Sequence, residues 1–406
     1  MQYSPGDVDA FIDDIHDLID TQLRYALRLM RDHPTDVLMM HFLASDNASH
    51  ALWRYMDAAH PLHAPTLAPK YGDALLKVYQ HLDEAIQALI SNLQPFDYAQ
   101  GGPPTSNLQP PNINVIVMSD HGFGPLHKTV NLNVLFLQAG LMQLKPRALT
   151  RLRYAMFQRG LTPKGVYRML ERIGLQNITA RVSRQTRNQV VGKFLSFEDV
   201  DWSRTIAYSI GHVGQVYLNL KGREPQGIVE PSEYQAARQR VVDVLRSLRD
   251  PRTGKSMVER LIPREEAAWG PYVDRAPDLH LVLDSYRAIA FPLFATEGKI
   301  VTQQIRGDSG CHRLHGVFVA CGPAFAHGAV EGARLIDLAP TILHVVGAPI
   351  PDDMDGRVLT EALSTEMRAR AVQMSEAADY AAEQVDMTPE EQAQVEERLR
   401  ALGYLG

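Results

Sequence analysis

The chain has 406 residues, 45% of them hydrophobic and 22% charged; these are ordinary globular values that exclude a disordered, collagen-like or coiled-coil chain and allow two or three domains, or one large α/β domain with insertions. Forty-one Lys plus Arg against 47 Asp plus Glu leave a net charge of -6, which argues against general nucleic-acid binding over the whole surface. Cys311 and Cys321 are the two cysteines, too few for a disulfide framework; they read as free thiols of a reducing compartment. With neither a signal-peptide start nor a run of about 18 apolar residues, the chain is expected to be cytoplasmic and to lack a transmembrane segment.

From Val8 to Arg31 apolar residues recur at helical spacing, from Phe11, Ile12 and Ile15 to Leu27 and Met30, and the pattern stops near His33-Pro34. The next run, Val37 to Leu43, is almost continuously apolar, the pattern of a strand buried on both faces of a parallel sheet. A helix is expected from Ala74 to Leu93, then a Gly/Pro/Ser/Asn loop from Gln94 to Asn112, then a β-branched strand, Ile113 to Met118, that runs directly into Ser119-Asp120-His121-Gly122. Between Lys145 and Lys193 stand 12 Lys or Arg and one acid, Glu171, with a helix start at Thr162-Pro163; this is a basic helical insertion. Its basic face either steers anions or is a solvated helix surface.

Further strands are expected at Thr205–Tyr208, Val216–Leu220, His280–Leu283 and Gly316–Ala320, with helices at Tyr234–Leu248 and Leu338–Val346. The tail from Ser364 to Leu402 is polar and helical, with Thr388-Pro389-Glu390-Glu391 as its helix-start signal. Strands alternating with helices indicate an α/β fold with a mostly parallel central sheet flanked by helices on both faces.

Chemistry-bearing residues gather at the expected strand ends. Asp46 and His50 are four apart and share one face of a helical turn, where they suit either one metal ion or a surface ion pair. Asp120 and His121 lie between a buried strand and Gly122, on the sheet edge where open α/β folds place their sites. His312 and His315 occupy the loop Ser309-Gly310-Cys311-His312-Arg313-Leu314-His315-Gly316, and either is a candidate ligand or a loop histidine bonded to backbone. Carboxylates with imidazoles suit zinc or manganese and exclude a thiolate site. Trp53 reads as a packing residue.

Ser119-Asp120-His121-Gly122-Phe123-Gly124, Asp46-x-x-x-His50-x-x-Trp53 and Gly310-x-His312-Arg313-x-x-Gly316 through Gly322-Pro323 resemble the alkaline phosphatase superfamily, in its type I phosphodiesterase and nucleotide pyrophosphatase branch. So do Asn131-Leu132-Asn133, Asn219 to Pro225, Asp337 to Leu343, Asp353 to Gly356 and the ending Leu402 to Leu405. The resemblance implies an alkaline-phosphatase-like core at 1–144 and 275–363, an insertion or cap at 145–274 with its basic helical part at 145–193, and a helical tail at 364–406. It implies a phosphoester hydrolase that acts on a small-molecule or nucleotide-like substrate and uses two divalent metal ions, zinc or alternatively manganese. Asp46, His50 and His312 match the ligands of one ion, with His315 ranked second as ligand or substrate contact; Asp120 and His121 match the other. The family also uses a strand-end Asp and a Thr or Ser nucleophile at a helix start. The first 36 residues hold no such pair, and Thr105, Ser106 and Thr341 are poorly placed, so the nucleophile is unassigned. The expectations are therefore an incomplete hydrolase, a non-catalytic metal-binding remnant, or a subunit completed by a partner chain or oligomer, with a phosphomutase or sulfatase as alternatives among enzymes.

Overall fold

The computed structural model describes residues 7–92, 113–162 and 194–377 apart from 212, 293, 295–297 and 304–307, together with Thr388. The expected helical stretch 163–193 and the tail helix beyond 388 lie outside the described residues. The helices used below are α1 (Val8–Asp32), α2 (Ala44–Met56), α3 (Ala68–Tyr71), α4 (Ala74–Asn92), α5 (Leu132–Gln138), α6 (Ala148–Gln158), α7 (Tyr234–Arg246) and α8 (Leu338–Val346). The strands are β1 (Val115–Met118), β2 (Gly122–Pro125), β3 (Lys128–Val130), β4 (Ala207–Ile210), β5 (Gln215–Leu218), β6 (Val258–Pro263), β7 (Leu279–Leu283), β8 (Ala288–Ala290), β9 (Val301–Gln303), β10 (Gly310–Arg313) and β11 (Phe318–Cys321). They fall into two compact units, Met1–Phe96 with Ser119–Val317, and Asp97–Met118 with Phe318–Gly406.

The first unit contains two apolar clusters. One is helical. Val8, Phe11, Ile15 and Ile19 of α1 and Ala74, Leu75, Val78, Leu82 and Ala85 of α4 meet the Ala44, Ala48, Ala51 and Leu52 face of α2. These spacings of three and four residues make one buried stripe per helix. The helix α1 ends where Pro34 bars His33 from helical geometry, and the His33 N–H closes on the Leu29 carbonyl at 2.8 Å. The larger cluster covers the four-stranded antiparallel sheet β4-β5-β7-β6 with α5 and α7. A three-stranded sheet, β8-β3-β9, and the antiparallel pair β2–β10 complete this unit.

In the second unit β1 pairs antiparallel with β11, and Phe325, Leu338, Leu359 and Leu363 make a small core beneath α8. Thr341 is fully buried there, donating to the Asp337 carbonyl and accepting from the Leu359 N–H, so its hydroxyl serves the packing of α8.

The fold is α/β, but the ladders of the described residues do not form a mostly parallel central sheet. Among the described residues the parallel ladders are β3–β8 and Ile350–Pro351 with Met374–Ser375, with two isolated parallel bridges at Leu220–Val229 and Lys221–Glu224; the other ladders are antiparallel. The Val37–Leu43 run also departs from expectation. It is in no ladder, and Met39 is 92% exposed. A parallel strand buries both faces only between neighbouring strands, and among the described residues none pairs with this run.

Several residues of the sequence motifs prove to be internal braces. Asn131 caps α5 by accepting from the Val134 N–H, and buried Asn133 donates to the Ser209 and Pro292 carbonyls and accepts from the Ser209 N–H. Asn219 donates to the Trp202, Thr205 and Gln226 carbonyls. Fully buried Asp278 takes a bidentate grip from Arg223 at 3.1 and 2.6 Å, the Tyr234 hydroxyl at 2.9 Å and the Leu218 N–H at 2.7 Å. Asp278→Ala leaves the buried Arg223 with Glu224 alone as carboxylate partner, at 2.8 Å, and strands the Tyr234 hydroxyl and the Leu218 N–H, and we expect a loss of about 3 kcal/mol in urea unfolding.

His60 is buried, donates from Nε2 to the Leu126 carbonyl at 2.9 Å and meets the His127 ring edge-on at 5.2 Å. Burial holds both imidazoles below the ordinary histidine value. The unfolded chain therefore takes up protons first as pH falls, so their stabilisation is complete above about pH 6.5 and declines below it. Urea midpoints measured from about pH 7 to pH 5 should fall, and His127→Gln should flatten the decline.

Candidate metal centre

The helix α2 is two-faced. Its small buried residues, Ala44, Ala48 and Ala51, let it lie close to α1 and α4, while Asp46 and His50 stand one turn apart on another side. The strand β10 is laid against this helix. Gly310 makes the approach possible, because a Cβ there would overlap the Ser49 carbonyl. Ser309 stitches the contact: its N–H donates to the His50 carbonyl at 2.6 Å and its hydroxyl accepts from the Arg54 N–H at 3.1 Å. Period-two alternation then puts Gly310 and His312 on the α2 side of β10, and Cys311 and Arg313 on the other.

Three imidazoles converge on one carboxylate oxygen. Asp46 Oδ1 lies 3.2 Å from His312 Nε2, 3.6 Å from His50 Nε2 and 3.7 Å from His121 Nε2. It is buried and accepts no well-aligned hydrogen bond. Burial raises the Asp46 carboxyl, but the three imidazoles outweigh it and hold the group below the usual range.

The tautomers suit a cation. His50 Nδ1 faces the Gly310 carbonyl at 3.0 Å and His121 Nδ1 faces the Gly122 carbonyl at 3.1 Å. A carbonyl only accepts, so each Nδ1 carries the proton and each Nε2 presents its lone pair. His50 and His312 Nε2 are 3.1 Å apart, and with Asp46 they form a group whose ligand atoms all lie within 4.8 Å of one another. Tetrahedral zinc with bonds of about 2.0–2.1 Å separates its ligands by about 3.3–3.4 Å. Asp46, His50 and His312 therefore fit a divalent ion with small adjustment.

His121 stands differently. Its ring stacks on His312 with centroids 3.6 Å apart and planes 15° from parallel. A nitrogen lone pair lies in the plane of its ring, so an ion in the His312 plane is well off the His121 plane. As arranged, the two rings address different positions. Asp120 is next to His121, 3.7 Å from its Nε2, with its side chain 74% exposed. His315 is exposed and outside the cluster; its carbonyl lies where a Cβ on Gly122 would be. Trp53 packs against the helical core and stacks on Phe123.

Phe123 and Arg313 are the residues whose part in the site was not read from the sequence. Phe123 meets the His50 ring edge-on at 4.8 Å and the His312 ring at 5.3 Å, an apolar wall beside both. The signal for it was the alternation Gly122-Phe123-Gly124 facing Gly310-Cys311-His312-Arg313, which sets Phe123 opposite His312.

A family model described as type I phosphodiesterase / nucleotide pyrophosphatase matches residues 6–310. The chain belongs to this family, and through it to the alkaline phosphatase superfamily. The match ends two residues before His312, whose place in the cluster rests on geometry. No curated protein and no solved structure matches the chain.

If Gly310 sets the spacing between β10 and α2, Gly310→Ala should separate His312 from His50 and Asp46. Zinc affinity measured with a competing chelator should fall by about 10- to 100-fold, the range found when the support of a ligand is disturbed.

Proposed function

We propose that the chain is a metal-dependent phosphoester hydrolase that acts on a small phosphodiester or nucleotide-like substrate. The observation that carries the reading is the half-buried Asp46 carboxylate, whose buried Oδ1 is ringed by imidazoles, in a chain of a phosphodiesterase family. In this reading Asp46, His50 and His312 hold one ion, zinc in preference to manganese, and Asp120 with His121 supplies ligands to a second. A bound divalent ion supplies Lewis acidity, stabilising negative charge on the phosphoryl oxygens during in-line displacement.

The residues of the chain do the rest. Asp46 keeps its negative charge at the centre of the cluster, His50 and His121 keep their Nε2 lone pairs turned towards it, and Phe123 closes one side with apolar surface. We place the hydrolase core at 1–144 and 275–363 and assign 145–274 to a cap whose basic part draws anionic substrates. His315 has the role of a second-rank substrate contact. No nucleophile is assigned. Among the described residues no helix is long and apolar enough to cross a membrane, and we propose a cytoplasmic location.

Hydrolysis of bis(4-nitrophenyl) phosphate, with zinc supplied and then removed by chelator, tests the reading. We expect metal-dependent turnover that Asp46→Ala abolishes, with zinc affinity reduced by more than about 100-fold. Asp120→Ala should remove the weaker of two ions and the turnover with it. Tight zinc binding without turnover would sink the hydrolase reading and leave a metal-binding subunit that needs a partner chain.

A further inference from the structure

We propose that Arg313 is the positioning residue of this centre: its guanidinium locks the backbone on both sides of His312 and so fixes where the imidazole points. The inference rests on the metal reading of Asp46, His50 and His312, although the contacts that carry it lie on the opposite face of β10.

Arg313 follows His312 in a strand of four residues, so their side chains leave opposite faces. Its Nη1 donates to the carbonyls of Tyr286 at 2.8 Å, His312 at 3.0 Å and Cys311 at 3.1 Å, and its Nη2 donates to the carbonyl of Pro125 at 2.6 Å. One planar group thus ties together β10, the end of its partner β2, and the turn at 284–286. The guanidinium lies across Gly124, where a Cβ would overlap it. No carboxylate is among its hydrogen-bond partners in the described residues.

The turn that presents the Tyr286 carbonyl is itself held firmly. Asp284, Ser285 and Tyr286 have φ of 47°, 51° and 62°, three consecutive non-glycine residues in the left-handed region. Such a conformation persists only where its surroundings impose it. Lys128 grips Asp284 at 2.9 Å and Asp250 at 3.0 Å, Arg287 grips Asp284 at 3.1 Å, and the Ser285 hydroxyl donates to Glu259 at 2.7 Å. A chain of contacts runs from the β6–β7 sheet through this turn and Arg313 to His312.

A lysine at this position keeps the charge but replaces a rigid fork with one mobile ammonium, which cannot span four carbonyls. In Arg313→Lys we expect unchanged far-ultraviolet circular dichroism, Co(II) affinity lowered by about 10- to 100-fold, and weaker visible Co(II) bands as His312 leaves the coordination sphere. In Arg313→Ala, millimolar methylguanidinium should restore Co(II) affinity and imidazole should not. Histidine-ring NMR of the metal-free protein supplies the independent readout. The His312 Hε1 resonance, displaced by its stacking on His121, should move towards its random-coil position in Arg313→Lys. If that movement occurs but the wild-type chain binds no Co(II), the positioning role stands and the metal reading falls. Wild-type Co(II) affinity and an unmoved His312 resonance in Arg313→Lys, even with lowered stability, would overturn the proposal.

Discussion

The site depends on the absence of a side chain at Gly310. With nothing beyond Cα, the backbone of β10 rests on the carbonyl of Ser49, and Ser309 bonds to both ends of the His50–Arg54 helical step. That contact brings together residues 262 positions apart in sequence, His50 and His312. Once β10 is seated, its pairing with β2 decides the rest: His312 stands opposite Phe123, and Gly122 and Gly124 leave room for the His315 carbonyl and the Arg313 guanidinium. A helix, two short strands and three glycines are enough to gather a carboxylate and three imidazoles.

Parts of this were legible in the chain. Asp46 and His50 are one helical turn apart, and helical periodicity makes that adjacency certain once α2 forms. The helices α1, α4, α7 and α8 follow from apolar spacing, since a stripe every three or four residues has no other economical burial. His312 was legible from the Gly310-x-His312-Arg313 motif and the family resemblance, because no local rule connects it to α2. His315 illustrates the limit of proximity in sequence: three residues beyond His312 and past the end of β10, it is exposed and contributes its carbonyl to the packing at Gly122.

What was not legible depends on pairing. Val37 to Leu43 has the composition of an interior strand, but composition does not provide the neighbours that a strand requires. The antiparallel order β4-β5-β7-β6 likewise arises from long-range hydrogen bonds that the alternation of strands and helices does not specify. Asn133, Asn219 and Arg223, the last through its grip on Asp278, show the converse. Their motifs could be read as chemistry, whereas their buried polar atoms satisfy carbonyls, amides and a carboxylate that would otherwise be stranded.

The left-handed turn at 284–286 carries a cost of about 1–2 kcal/mol for each residue with a Cβ. Ser285, at its centre, is held through its hydroxyl by Glu259. The usual direction of mutational tolerance is therefore reversed here. Trimming a side chain to hydrogen weakens most ordered positions, but at Ser285 it removes a steric penalty, so selection for thermostability would favour glycine. That a serine stands there is a measure of how far the surrounding ion pairs already dictate the path of the chain.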